Sequence, residues 1–108
     1  MEETPFDFQV EVEKTGDRAV LVISGDVDLA TAPMVINRLE ALFREPVTGL
    51  ALDLGKVTFL DSSGIAALLK AHTMAVDHGV PFTFASVSPE VRRIISSTGL
   101  TDRLGLTT

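Results

Sequence analysis

Cysteine is absent from the 108 residues. Disulfides, thiolate zinc sites, cysteine nucleophiles and thiol redox chemistry are therefore all excluded. Histidine is nearly absent too: His72 and His78 alone cannot build a His-rich metal site. Basic residues are few, 9 Lys plus Arg against 15 Asp plus Glu, for a net charge of −6. That balance argues against a nucleic-acid partner, because phosphate neutralisation needs clustered Lys and Arg. No window approaches the roughly 20 consecutive apolar residues of a membrane span. Met1 to Pro5 offers neither the basic region nor the apolar run of a secretory signal or transit peptide. The expectation is a cytoplasmic protein with no membrane span. What is present, 45% hydrophobic and 22% charged residues, suits a single domain over 1–108. A chain of this size can bury roughly two thirds of its unfolded surface. Repeats, linkers and low-complexity segments are missing.

Hydrophobic periodicity gives the architecture. Phe6, Phe8, Val10 and Val12 alternate with polar residues, as in a strand with one wet face. Thr15, Gly16 and Asp17 form a turn. Ala19 to Ile23 is then an unbroken apolar run, which reads as a central strand covered on both faces. A turn this short makes the pair an antiparallel hairpin. Val35, Leu39 and Leu42, with Ile36 and Phe43 beside them, recur at helical spacing. Thr31 is placed to cap that helix, and Pro33 fits its first turn. Leu50, Leu52 and Leu54 mark a further strand. After Asp61, a second helix carries Ile65, Leu68, Leu69, His72 and Val76 on one stripe and stops at Gly79 and Pro81. Phe82 to Ser86 is a short strand. Ser88 and Pro89 open a third helix, in which Val91, Ile94 and Ile95 face the core and Gly99 is the stop. A short element follows around Leu104 to Leu106. The fold class is α/β: a mixed sheet with an N-terminal antiparallel hairpin, parallel later strands and helices packed mainly on one face.

Enzyme motifs fail one by one. Gly55-Lys56 lacks the upstream glycine and following hydroxyl of a phosphate loop, and no Gly-x-Gly-x-x-Gly is present. Ser62 and Ser63 have no histidine in reach, since His72 lies ten residues along the same helix, roughly 15 Å by helical rise. His72 reads as a packed residue on the apolar stripe. His78 reads as a surface residue at the helix end, where it complements the dipole.

Two segments stand out. In Phe59-Leu60-Asp61-Ser62-Ser63-Gly64-Ile65-Ala66 an apolar run meets a helix start. Asp and Ser are preferred capping residues, and Gly64 and Ala66 allow close packing, so ordinary capping accounts for the residue types. A hydroxyl at a helix N-terminus is also a natural place for a phosphate, and Ser62 could accept one from a kinase. The second segment is Gly25-Asp26-Val27-Asp28-Leu29-Ala30-Thr31. Its acids sit at the carboxyl end of a strand, where open α/β sheets carry their sites. They are also simply loop and cap residues, or two of three ligands with Asp61 for magnesium, though the spacing does not demand a metal. If the strands of Val20 to Ile23 and Leu50 to Leu54 are parallel neighbours, the two segments meet.

These segments resemble the signatures of the STAS domain, as found in bacterial anti-sigma factor antagonists. Gly25 to Ala32 is similar to the family's first signature. Phe59 to Gly64 is similar to its phosphorylation loop, with Ala66 where a second glycine is frequent. Ser88 to Arg93 with Thr98-Gly99-Leu100 resembles the third helix and its exit. The resemblance implies the STAS fold and a partner switch, not an enzyme. The dephosphorylated form binds an anti-sigma factor that is also a serine kinase, and the sigma factor is released. Phosphorylation at the first serine after the aspartate, here Ser62, ends that binding, and a phosphatase resets it. Asp26, Asp28, Thr31, Asp61, Ser63 and Gly64 are the implied partner-binding residues. No cofactor or metal is implied. Two other readings stay open: a STAS module of a stress-sensing or lipid-transport assembly without phosphorylation, and a small metal-dependent phosphoacceptor enzyme using Asp26, Asp28 and Asp61.

Overall fold

The computed structural model describes residues 8–104. The first strand, β1 (Gln9–Thr15), turns through Gly16 into β2 (Arg18–Val27). Gly16 has φ 63°, a left-handed conformation that a side chain would oppose and that the tight hairpin requires. Helix α1 (Ala32–Leu42), strand β3 (Gly49–Leu60), helix α2 (Ser62–Asp77), strand β4 (Phe82–Val87) and helix α3 (Pro89–Ser97) follow. The sheet order is β1-β2-β3-β4. β1 pairs antiparallel with β2, and both later pairings are parallel. This is the mixed sheet with a leading hairpin that the periodicity predicts. Phe6 and Leu106 lie outside the described residues.

The core lies on one face of the sheet. Leu21 and Ile23 of β2, with Leu50, Leu52 and Leu54 of β3, are buried beneath Val35, Leu39, Leu68, Val91 and Ile95 from the three helices. Among the described residues no helix packs on the opposite face, and here the expectation for β2 needs correction. Val20 and Val22 point away from the helices and are half-buried rather than covered. Register partners Glu13 and Ala51 flank Val20, and Glu11 and Asp53 flank Val22. Lateral neighbours on both sides thus shield an inner strand enough to tolerate an unbroken apolar run without a second layer.

The α2 stripe also differs. Its buried residues are Gly64, Ala67, Leu68, Ala71 and Ala75, whereas Val76 is 62% exposed and His72 packs edge-on against Phe82 at 5.4 Å. Small residues face the sheet so that the helix axis can come close. Of the large side chains on the expected stripe, Leu68 is buried, Ile65, Leu69 and His72 are half-buried on the flanks, and Val76 is exposed. His78 lies exposed at the end of α2 as expected, stacked on Phe43 at a ring separation of 4.5 Å.

Candidate functional site

Parallel pairing of β2 and β3 brings the two singled-out segments together. Val27 and Leu60 are register partners, so both chains leave the sheet at the same edge, one into the loop before α1 and the other into α2. The join is tight. The Asp61 N–H donates to the Val27 carbonyl at 3.3 Å. A Cβ built on Gly64 would lie 2.2 Å from that same oxygen and 3.0 Å from Leu60. Glycine is demanded here by the close approach of α2 to the end of β2.

Asp61 is the hub. Its backbone is extended (φ −100°, ψ −169°), and Oδ1 accepts from the Ser63 and Gly64 N–H groups at 2.8 and 3.0 Å. Oδ2 accepts from the Leu29 N–H at 3.2 Å. One carboxylate thus caps α2 and tethers the neighbouring loop. Ser62, the first residue of α2, follows directly and is exposed. Its surroundings differ from the expectation in one respect. Two N–H groups of the first turn, those of Ser63 and Gly64, free to receive a phosphate by sequence reasoning, are already occupied by Asp61.

The loop itself is wound around Asp28. Its Oδ1 accepts from the Ala30 and Thr31 N–H groups at 3.0 and 3.1 Å, an arrangement typical of Asx turns. The Thr31 hydroxyl donates to the Asp26 carbonyl at 2.7 Å and accepts from the Asp28 N–H at 3.0 Å. Asp28 Oδ1 is thereby committed to its own loop. Thr31 corrects one expectation: it is 2% exposed, and its side chain turns back into the loop instead of capping α1. Gly64 is likewise buried and serves packing. Asp26 remains exposed, with Oδ1 accepting from the Thr58 hydroxyl at 2.5 Å. Among the described residues, no three of His, Asp and Glu come together to hold a metal ion.

Two apolar residues belong to this end of the molecule and were not singled out from the sequence. Leu29 is 76% exposed in the loop, and Phe59 is 47% exposed near the end of β3. Phe59 hides in an apolar run, and the register shift beside Asp26 leaves both Thr58 and Phe59 outward between buried Val57 and Leu60. Nothing in local sequence announces such a shift. For Leu29 the signal was available: an isolated leucine inside an Asp- and Thr-rich turn has no helical or strand partner to pack with.

A one-faced mixed sheet, with an exposed serine at a helix start beside a hydrogen-bonded acidic loop, marks a small α/β module of a definite class. The chain belongs to the STAS domain family, whose match runs over residues 9–108. It is 28% identical over 95 residues to the anti-sigma F factor antagonist of Paenibacillus polymyxa, covering 87% of this chain and 81% of that protein. An anti-sigma-B factor antagonist from Listeria monocytogenes is 27% identical over 90 residues, covering 83% and 79%. The crystal structure of an anti-sigma factor antagonist from Mycobacterium paratuberculosis superposes with a TM-score of 0.77 at 26% identity, covering 94% of this chain and 86% of that one.

Proposed function

We propose that this chain is an anti-sigma factor antagonist, a binding protein and not an enzyme, switched by phosphorylation at Ser62. The observation that carries this is the exposed Ser62 hydroxyl between Asp61, which caps α2, and the acidic loop tied to it. The unphosphorylated face presents Asp26, Asp61, Ser62 and Ser63 to an anti-sigma factor that is also a serine kinase. That kinase supplies ATP, Mg²⁺ and the catalytic base, and this chain supplies the acceptor. A separate phosphatase restores the hydroxyl.

The electrostatics support an on–off switch. Phosphate adds about −1.5 to −2 charge. Placed on Ser62, it lies next to the Asp61 carboxylate, which already holds the Ser63 and Gly64 N–H groups that could otherwise help neutralise it. The added charge is thus felt by a docked partner rather than absorbed by the helix end. Local rewiring of a surface, with the core untouched, is enough to end binding. The test is phosphorylation by the anti-sigma serine kinases of the source organism with ATP, followed by mass-spectrometric mapping. Wild type and Ser63→Ala should carry one phosphate on residue 62, and Ser62→Ala none. Phosphate on Ser63 overturns the site, and no phosphate on wild type overturns the switch.

A further inference from the structure

Four residues in a row, Asp28 to Thr31, have their N–H groups fixed. Thr31 Oγ1 takes the first at 3.0 Å and Asp61 Oδ2 the second at 3.2 Å. Asp28 Oδ1 takes the third and fourth at 3.0 and 3.1 Å. On top of this locked loop stands Leu29, the most exposed large apolar side chain among the described residues. A flexible loop could fold such a side chain inward, but this one is held out by backbone bonds at its own position and both neighbours.

Leu29 is also not isolated. It forms one rim of an open groove between α1 and α2, with Pro33 and Ile36 on one wall, Ala66 and Ser63 on the other and Lys70 farther along. The apolar surface therefore begins one residue away from the phosphoacceptor and runs along the helix pair. Around it stand Asp26, Asp28 and Asp61, on a chain of net charge −6. A second copy of this chain would meet those acids with its own, so self-association at this face is opposed by charge.

We infer that Leu29 is the apolar anchor of the switch surface: the anti-sigma kinase receives it in an apolar pocket rimmed by Lys or Arg, and Asp61 positions it through the Leu29 N–H. This deepens the proposed function and rests on it. Rigid apolar anchors inside a polar ring are the usual energetic centres of protein interfaces, because little ordering entropy is lost when they are buried. The anchor also explains why one carboxylate serves both loop and helix. Capping α2 needs only one oxygen, and the other fixes the anchor beside Ser62, so that charge arriving on Ser62 falls at the centre of the interface.

The experiment compares Leu29→Ala with Val76→Ala, which removes a similarly exposed apolar side chain at the far end of α2. Binding of unphosphorylated protein to the purified anti-sigma kinases of the source organism is measured by calorimetry. Phosphate incorporation and melting temperature are followed on the same samples. Leu29→Ala should weaken binding at least tenfold with its melting temperature unchanged, and Val76→Ala should bind as wild type does. Asp61→Ser, which keeps a cap but loses the tether, should fall between them. Equal binding by Leu29→Ala and wild type overturns the anchor alone, as does equal weakening by both alanine variants. Wild type that neither binds nor accepts phosphate from any of these kinases overturns the switch beneath it.

Discussion

Helices α2 and α3 begin with the same device and put it to different uses. Each has a polar N-cap in extended conformation, Asp61 and Ser88, whose side chain accepts from the first turn. Ser88 is buried: its oxygen takes the Val91 N–H at 3.3 Å and its hydroxyl donates to the Val57 carbonyl at 2.9 Å. Pro89 comes next and Val91 faces the core. At α2 the cap is half-buried and reaches sideways to Leu29, an exposed serine follows, and the residue at the core-facing position is Gly64. A cap whose hydrogen bonds all point inward is structure. A cap followed by an exposed hydroxyl and tied to a second loop can carry a signal.

The harshest way to break the comparison is at the core-facing positions. Gly64→Ala drives a methyl into the Val27 carbonyl, and since that neighbour is backbone, α2 itself must move. The expected loss is about 3 kcal/mol or more, at the upper end of overpacking costs, read as a drop in melting temperature. Val91→Ala, its counterpart, should cost roughly 2 kcal/mol by cavity formation. If Gly64→Ala melts with wild type, the close approach does not constrain the site.

Next comes Ser88→Ala, which leaves a buried carbonyl and a buried N–H without partners. A cost of about 1–3 kcal/mol is expected by denaturant unfolding, with phosphorylation of Ser62 unchanged at temperatures where the variant is folded. Asp61→Ala should cost less, about 1 kcal/mol for the lost cap. Its distinguishing effect is local: amide exchange at Leu29 should accelerate while that of Val91 does not. Asp61→Asn sharpens this further, because an amide has one acceptor oxygen and must give up either the cap or the tether. The smallest effect on stability belongs to Ser62→Ala, within about 0.5 kcal/mol of wild type, because the cap is Asp61 and not the serine. A larger loss would mean that the hydroxyl has a structural role.

Much of this was legible in the sequence, and the failures have identifiable causes. Gly16, Asp61, Ser88-Pro89 and the Gly79-Pro81 stop are local signals, decided by backbone conformation or by a hydrogen bond a few residues away. Those elements form where expected. Val20 and Val22 mislead because lateral shielding inside a sheet looks, in hydropathy, like coverage by a second layer. Val76 misleads because helix α2 approaches the sheet on its alanines, which carry little hydropathic weight. Asp28, an implied partner-binding residue, spends one carboxylate oxygen on its own loop. Its replacement should therefore act through loop order rather than direct contact. Burial of Thr31 and exposure of Phe59 depend on contacts between segments far apart in sequence, and no local pattern encodes them.

The strand order has a consequence for the time course of folding. Spatial order equals chain order, so each strand joins at the outer edge left by the one before it, and none has to be inserted between two already paired. The hairpin of β1 and β2 closes over the shortest connection between paired strands. Each later strand then adds at the cost of closing a single helical crossover, and that cost grows only slowly with loop length. Assembly can proceed from the hairpin outward, with α1 and then α2 laid down as each new edge forms. The junction of Val27 with Asp61 and Gly64 is complete only when α2 docks. The proposed switch surface is therefore finished in the same step that adds its second helix.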